Sequence, residues 1–548
     1  MLLGKRFEDF IEKNPVSLIV NGTLERVFDP DKLEQLFDDH ALRQYTKEIT
    51  FTQCVHIMSD VVFQVLPSVG AWFQSHQQEI SVTRQALYEK LKHLELPLSA
   101  ALVRYSAESL GPVLREMKCQ PPPLLPGYRV RVLDGNHLAG TEHRILELRR
   151  HRAGALPGQT LAFYDPQYDL ITDVIPCEDA HAQERSLLAE VLLLVMARDC
   201  IVADRNFCTL GFLFGLHRRQ AFAVIRQHAS MPWQPQGTRH RVGQDAKGRA
   251  IHEQSVCVTD PETGETLRLR RITIALHKPT KDGATELHIL TTLPVEVADA
   301  VRIADLYADR WTIEVAFQHL TVDLQCEINT LGYPKAALFG FCLALVAYNV
   351  VSLMKGAIRA AWGRKYQEDE LSMYYLTLDV AQVSRGLRIA IPDPHWNIFR
   401  KLSVVEFANT MVALAQRMKT TNYTKHKRGP KKPPPKKISG KRIHHLSTAR
   451  ILAARQLTRP LQGWVRATHR RQYAGCVAHT VERTLPLIPK RIQAIHCGSK
   501  PLRYGFVSSS LAFELFAIFT SAAFQFSVSP GRRIAIVPSS TVSVSGLA

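Results

Sequence analysis

The order of short elements between residues 129 and 227 constrains this chain more than any other feature. Three β-rich runs, RVRVLD at 129–134, TLAFYD at 160–165 and LITDVI at 170–175, are separated by turn residues. A leucine-rich helical stretch follows at 185–197, then the strand CIVAD at 200–204, a helix over 209–219 and a further strand at 221–227. Upstream, CQPPPLLPG at 119–127 cannot continue a helix and marks a boundary.

Three strands, a helix, a strand, a helix and a strand is the order of an RNase H-like core. That is an α/β architecture with a mixed five-stranded sheet and helices packed against it. The final helix of such a core is delayed here. Residues 230–295 hold further strand-like runs, RLRRITIAL at 268–276 and ELHILTTL at 286–293, which predict a β-rich insertion. The delayed helix is expected to begin near Val295 and to run unbroken through YADRWTIEVAFQHL. The expected organisation is a helical N-terminal domain at 1–120, the first part of the core at 125–229 and the insertion at 230–295. The rest of the core with a helical extension takes 296–418, a basic segment 419–472, and an unassigned tail 473–548.

The 548 residues carry 69 Lys and Arg against 50 Asp and Glu, a formal charge of +19. Such an excess favours a polyanionic partner, most simply nucleic acid, with an anionic membrane as the rival. The imbalance is concentrated. No acidic residue occurs from Lys419 to Arg471, and residues 425–442 (KHKRGPKKPPPKKISGKR) hold nine Lys or Arg. Proline and charge together predict an extended segment suited to phosphate contact, or a solubilising linker. The N-terminal region suits a helical DNA-binding module and an ordinary bundle equally: behind a Ser/Thr start, Leu87, Leu91 and Leu94 recur at helical spacing. The ten cysteines form no C-x-x-C pair, so neither a structural zinc site nor a disulfide framework is indicated, and a reducing cytoplasm is expected. The charged first residues do not read as a signal peptide. Residues 336–354 are apolar enough to cross a bilayer, but inside this core they read as a buried helix rather than a span.

Phosphodiester hydrolysis with two metal ions needs acidic ligands that place the ions about 3.5–4 Å apart. Mg²⁺ takes oxygen ligands and keeps several waters, so a few carboxylates suffice. The first strand ends at Asp134 and the fourth at Asp204, and these strands are neighbours in an RNase H-like sheet. Glu314 would be brought over them by the last helix. On a 3.6-residue period Tyr307, Arg310, Glu314 and Thr321 share one helix face, while Leu306, Trp311, Val315 and Phe317 supply an apolar surface around the rest. The other acids near strand ends, Asp165, Asp169, Asp173, Asp179 and Asp199, read as structural. His137 reads as a loop histidine.

The blocks RVLDGNHL, IVADRNF and YADRWTIEVAF resemble the three catalytic blocks of DDE transposases of bacterial insertion sequences, specifically the insertion-sequence-four family. That family's glutamate helix reads Y-x2-R-x3-E-x6-K. Tyr307, Arg310 and Glu314 match it, and Thr321 departs from it at the lysine position. The resemblance, over about 125–350, implies Asp134, Asp204 and Glu314 as catalytic ligands of two Mg²⁺ ions, which Mn²⁺ could replace. It implies Tyr307 and Arg310 as phosphate contacts, and a homodimer assembled on DNA in the cytoplasm, at the nucleoid. The implied activity is binding of terminal inverted repeats, cleavage at the element ends, in some relatives through a hairpin, and joining of the 3′-OH to target DNA. In such relatives an aromatic pocket receives a flipped base, and Trp233 is the tryptophan available in the insertion. The rival functions are an RNase H-like nuclease that does not join strands, a decayed DNA-binding protein, and a membrane-associated protein.

Overall fold

A computed structural model describes residues 3–43, 48–141, 145–149, 155–280, 283–322, 328, 331–426, 429 and 446–456. Nearly all of the lysine-rich stretch 425–442 and the whole of 473–548 lie outside the described residues. Among the described residues, seven α-helices precede the sheet: α1 (Glu8–Lys13), α2 (Pro15–Val27), α3 (Pro30–His40), α4 (Phe51–Val62), α5 (Val69–Ser75), α6 (Arg84–Lys92) and α7 (Leu96–Glu116). Their starts follow from local chemistry. Asp29, Thr50, Ser68 and Thr83 each accept a backbone N–H two or three residues on, which satisfies a donor the helix leaves open.

The core follows as β1 (Arg129–His137), β2 (Ala155–Leu156), β3 (Gln159–Asp165), β4 (Leu170–Cys177), α8 (Leu188–Leu193), β5 (Asp199–Ala203), α9 (Leu210–Arg218) and β6 (Phe222–Arg226). Its strands lie in the order β4-β3-β1-β5-β6. β1 is antiparallel to β3 and parallel to β5, and β5 is parallel to β6. The first and fourth of the expected strands are therefore neighbours. β1 runs three residues past Asp134, farther than its sequence suggested. α8 is shorter than expected: Leu192, Leu193 and Leu194 are consecutive, a helix buries only one side, and Leu193 stays exposed.

The insertion contributes β7 (Gln234–Pro235), β8 (His240–Gln244), β9 (Ala250–Thr259), β10 (Thr266–Ala275) and β11 (Glu286–Thr291). These strands join the core sheet. β11 pairs antiparallel with β6, the order continues β11-β10-β9-β7, and β8 pairs with β9. The expected five-stranded sheet is thus half of a ten-stranded one. β6 would otherwise be an edge with open N–H and C=O groups, and β11 occupies that edge.

The expected single glutamate helix is two helices, α10 (Ala300–Ala308) and α11 (Trp311–Val322). Between them Arg310 N–H donates to Tyr307 C=O and Thr312 N–H to Asp309 C=O, both i→i−3 turns that tighten the chain. Asp299 caps α10 by accepting from Arg302 N–H. Then come α12 (Pro334–Trp362), α13 (Met373–Ala390), α14 (Asp393–Lys401), α15 (Val404–Gln416), β12 (Leu446–Ser447) and α16 (Thr448–Gln456).

α12 is long and apolar enough to cross a membrane, and its most apolar stretch is entirely buried in the protein. It packs on α4, α7, α15 and β4. Asn349 fixes it to the sheet by accepting from Ile171 N–H at 2.8 Å and donating to Ile171 C=O at 2.9 Å. The helices of 1–120 and α12–α15 share one hydrophobic core and form one helical layer, whereas Ile451 of α16 packs with Ile145, Leu148 and Ala155 in a small separate cluster. Along the strands, side chains alternate between that layer and a second core built with α8 and α9: Val132, Val202 and Val224 enter the first, Leu133, Ala203 and Ile225 the second.

Candidate active site

The alternation positions the site. Val132 pairs with Val202, and Val202 with Val224, in one row across β1, β5 and β6. Two residues further along each extended chain come Asp134, Asp204 and Arg226, on the same face and at the C-terminal edge of the parallel strands. Asp204 follows the last residue of β5 and keeps an extended backbone (φ −77°, ψ 172°). α10 and α11 cross this edge, with Ile303, Leu306, Ile313 and Phe317 buried in the helix-side core.

All five residues singled out in the sequence meet here, linked in two groups. Arg310 spans two carboxylates: Nη1 donates to Asp134 Oδ2 at 2.9 Å and Nη2 to Glu314 Oε1 at 2.7 Å. Tyr307 donates its hydroxyl to Asp204 Oδ1 at 3.2 Å, and Arg226 Nη1 lies 3.8 Å from the same oxygen. The Arg310 side chain is 7% exposed, Asp134 17% and Glu314 38%. Burial pushes the Asp134 carboxyl up to about 6, against the pull of Arg310 and of the Gly135 N–H, and the charges of Glu314 and Glu184 push the same way. Burial also raises the Tyr307 hydroxyl pKa, reinforced by Asp204, so Tyr307 is a hydrogen-bond donor at neutral pH. Burial opposes the charge of Arg310, but Asp134, Tyr307 and Glu314 outweigh it and the pKa of Arg310 is raised.

The donor set is right in kind for a hard divalent cation, since Asp134, Asp204 and Glu314 offer only carboxylate oxygens. Among the described residues, no three His, Cys, Asp or Glu side chains converge as a ready-made metal cluster. The carboxylate charges are answered instead by Arg310 and Arg226. Arg310 Nε is buried and has no hydrogen-bond acceptor.

The other acids are occupied elsewhere. Asp199 pairs with Arg129 and Arg131, Asp173 with Arg104 and Arg131, and Asp169 with Lys355. Asp165 accepts from the N–H groups of Gln167 and Tyr168, and Asp179 from Ser447 and Arg450. Trp233 packs beside the second core under the Arg271 guanidinium, 4.7 Å from its ring. The apolar surface expected around the glutamate helix is divided: Leu306 and Phe317 are buried, whereas Trp311 is 60% and Val315 49% exposed. Thr321 lies in α11, and its side chain is outside the described residues. Sequence reasoning gave no site role to Arg226 or Glu184, and it read Trp311 only as part of the apolar surface of the glutamate helix. Arg226 had a usable signal, since it stands two residues after an inward Val224 at a strand end.

Residues 125–350, which include every residue of this constellation, match the family model described as the transposase DDE domain. No curated protein matches the chain. Among solved structures, the cryo-EM structure of a piggyBac transposase synaptic complex with hairpin DNA is similar at 10% identity, covering 68% of this chain and 85% of that one. The TM-score of that match is 0.32.

Proposed function

We propose, from the transposase DDE domain at 125–350, that the chain is a DNA transposase of the insertion-sequence-four type, with Asp134, Asp204 and Glu314 as its catalytic acids. The observation that carries this reading is the placement of Asp134 and Asp204 in one row on adjacent parallel strands, beneath Tyr307, Arg310 and Glu314. The three acids would hold Mg²⁺, or Mn²⁺ in its place. When bound, such ions activate water and neutralise charge building up at phosphorus.

The protein's own groups do the rest. Arg310, held between Asp134 and Glu314, keeps a guanidinium charge beside the acids that attracts phosphate oxygens, and Tyr307 supplies a neutral donor beside Asp204. Arg226, at the end of the same row, adds a second cation. The exposed indole of Trp311, with the Arg310 guanidinium 5.1 Å from its ring, offers a stacking face for an unstacked base. That assigns to Trp311 a role the sequence had suggested for Trp233. Each chemical step is an in-line displacement at phosphorus by a water or a freed 3′-OH, with hairpin formation as one route. The enzyme would bind its terminal inverted repeats and target DNA as a homodimer, in the cytoplasm at the nucleoid.

The test uses the full chain, Mg²⁺ and DNA carrying the ends that flank its gene. Cutting at the ends followed by covalent joining to a target plasmid is the expected result. Cutting without joining would make it a non-transposing nuclease, and binding without cutting a decayed DNA-binding protein.

A further inference from the structure

Glu184 heads a 3₁₀ turn (Glu184–Leu187) that leads into α8. A Cβ added to Gly135 would overlap Glu184 Oε1, so the carboxylate rests against the backbone next to Asp134 in the space a side chain would take. Its other oxygen accepts from Asn206 Nδ2 at 3.2 Å. Asn206 lies in the 3₁₀ turn (Arg205–Phe207) that follows Asp204. Arg185 Nε reinforces the same junction by donating to Asn206 C=O at 3.0 Å. One side chain thus touches the residue after Asp134 and the second residue after Asp204.

We propose that Glu184 is a positioning residue for the Asp134–Asp204 pair, a strut that fixes the end of β1 against the turn after β5. This rests on the reading of those aspartates as catalytic. The strut requires a glycine at 135 for space and not for backbone freedom, because Gly135 does not have a positive φ. Alanine is therefore allowed there by its backbone, but its Cβ would displace the Glu184 carboxylate and press on Leu161 Cδ2. The role also depends on length and on an acceptor oxygen, both of which glutamine retains.

The experiment is a double-mutant cycle on the full chain, read as single-turnover cleavage of end DNA at saturating DNA, with DNA affinity and thermal midpoint measured alongside. A misplacement of about 1 Å can slow chemistry as much as a hundredfold, so Glu184→Ala and Gly135→Ala are each expected to cost about tenfold or more. DNA affinity should stay near wild type in both, and the thermal midpoint near wild type in Glu184→Ala. The double variant should be no slower than the slower single one, since each change removes the same contact. Glu184→Gln should cleave within about threefold of wild type, because its amide oxygen still accepts from Asn206. Multiplying effects in the double variant, or wild-type cleavage by Glu184→Ala, would overturn the proposal. If Gly135→Ala does not fold, the contrast between the alanine and glutamine variants at 184 decides alone. Asp134→Asn separates the two levels: an inactive Asp134→Asn beside a fully active Glu184→Ala removes only the strut, whereas an active Asp134→Asn removes the catalytic reading itself.

Discussion

Replacing Asp134 by asparagine should stabilise the protein while disabling it. The carboxyl is pushed from the ordinary aspartate range up to about 6, chiefly by burial, so the folded protein holds this charge at a cost. A hundredfold change in proton affinity corresponds to about 3 kcal/mol, an upper bound on what a neutral isostere recovers at pH 8. The sign follows from proton linkage. Between the unfolded value near 4 and the folded value near 6, the native state binds more protons than the unfolded chain, so wild-type stability falls as pH rises through that window. The advantage of Asp134→Asn should therefore be full above pH 6 and vanish below pH 4. Arg310 keeps its bond to Glu314 in the variant, so its buried charge is not left alone. Thermal or chemical unfolding without divalent metal, at pH 8 and at about pH 4, measures the difference. An Asp134→Asn protein less stable than wild type at pH 8 would refute the reasoning, because the bonds to Arg310 and Gly135 would then outweigh the burial of the charge.

Four further changes test neighbouring parts. Arg310→Lys should slow end cleavage more than tenfold, since one ammonium cannot bridge Asp134 and Glu314 as the planar fork does; near-normal cleavage would contradict this. Tyr307→Phe removes one bond to Asp204, costing about 1 kcal/mol in unfolding free energy and a larger share of the cleavage rate. Trp311→Ala should change stability by less than about 0.5 kcal/mol, because the side chain is largely exposed, yet slow cleavage of end DNA severalfold. Asn349→Ala leaves Ile171 N–H and C=O without their partner in the core and should lower unfolding free energy by roughly 3 kcal/mol.

What could be read in the sequence was local. The β-branched run before Asp134 and the strand before Asp204 alternate cleanly between two cores, so period-two arithmetic alone places both aspartates on one face. The spacing of Tyr307, Arg310 and Glu314 survives the break between α10 and α11, because the intervening i→i−3 turns still advance the chain helically. The break itself was hidden for the same reason. Non-local pairing was not legible: nothing near β6 announces that β11 will take its edge, and polar His252, Glu253 and Gln254 obscured β9 as a strand. Glu184 was invisible because its importance comes from contact with Gly135 and Asn206, which only the fold brings together.

The most direct test of the central claim is cleavage of the gene's own flanking ends by wild type and by Glu314→Gln, with Mg²⁺ and with DNA binding measured in parallel. Glu314 is partly exposed and bonded only through Arg310 among its described side-chain partners, so its amide should leave folding and DNA binding nearly intact. The account predicts that wild type cuts at the ends while Glu314→Gln binds the same DNA and does not cut. Normal cutting by Glu314→Gln would contradict it.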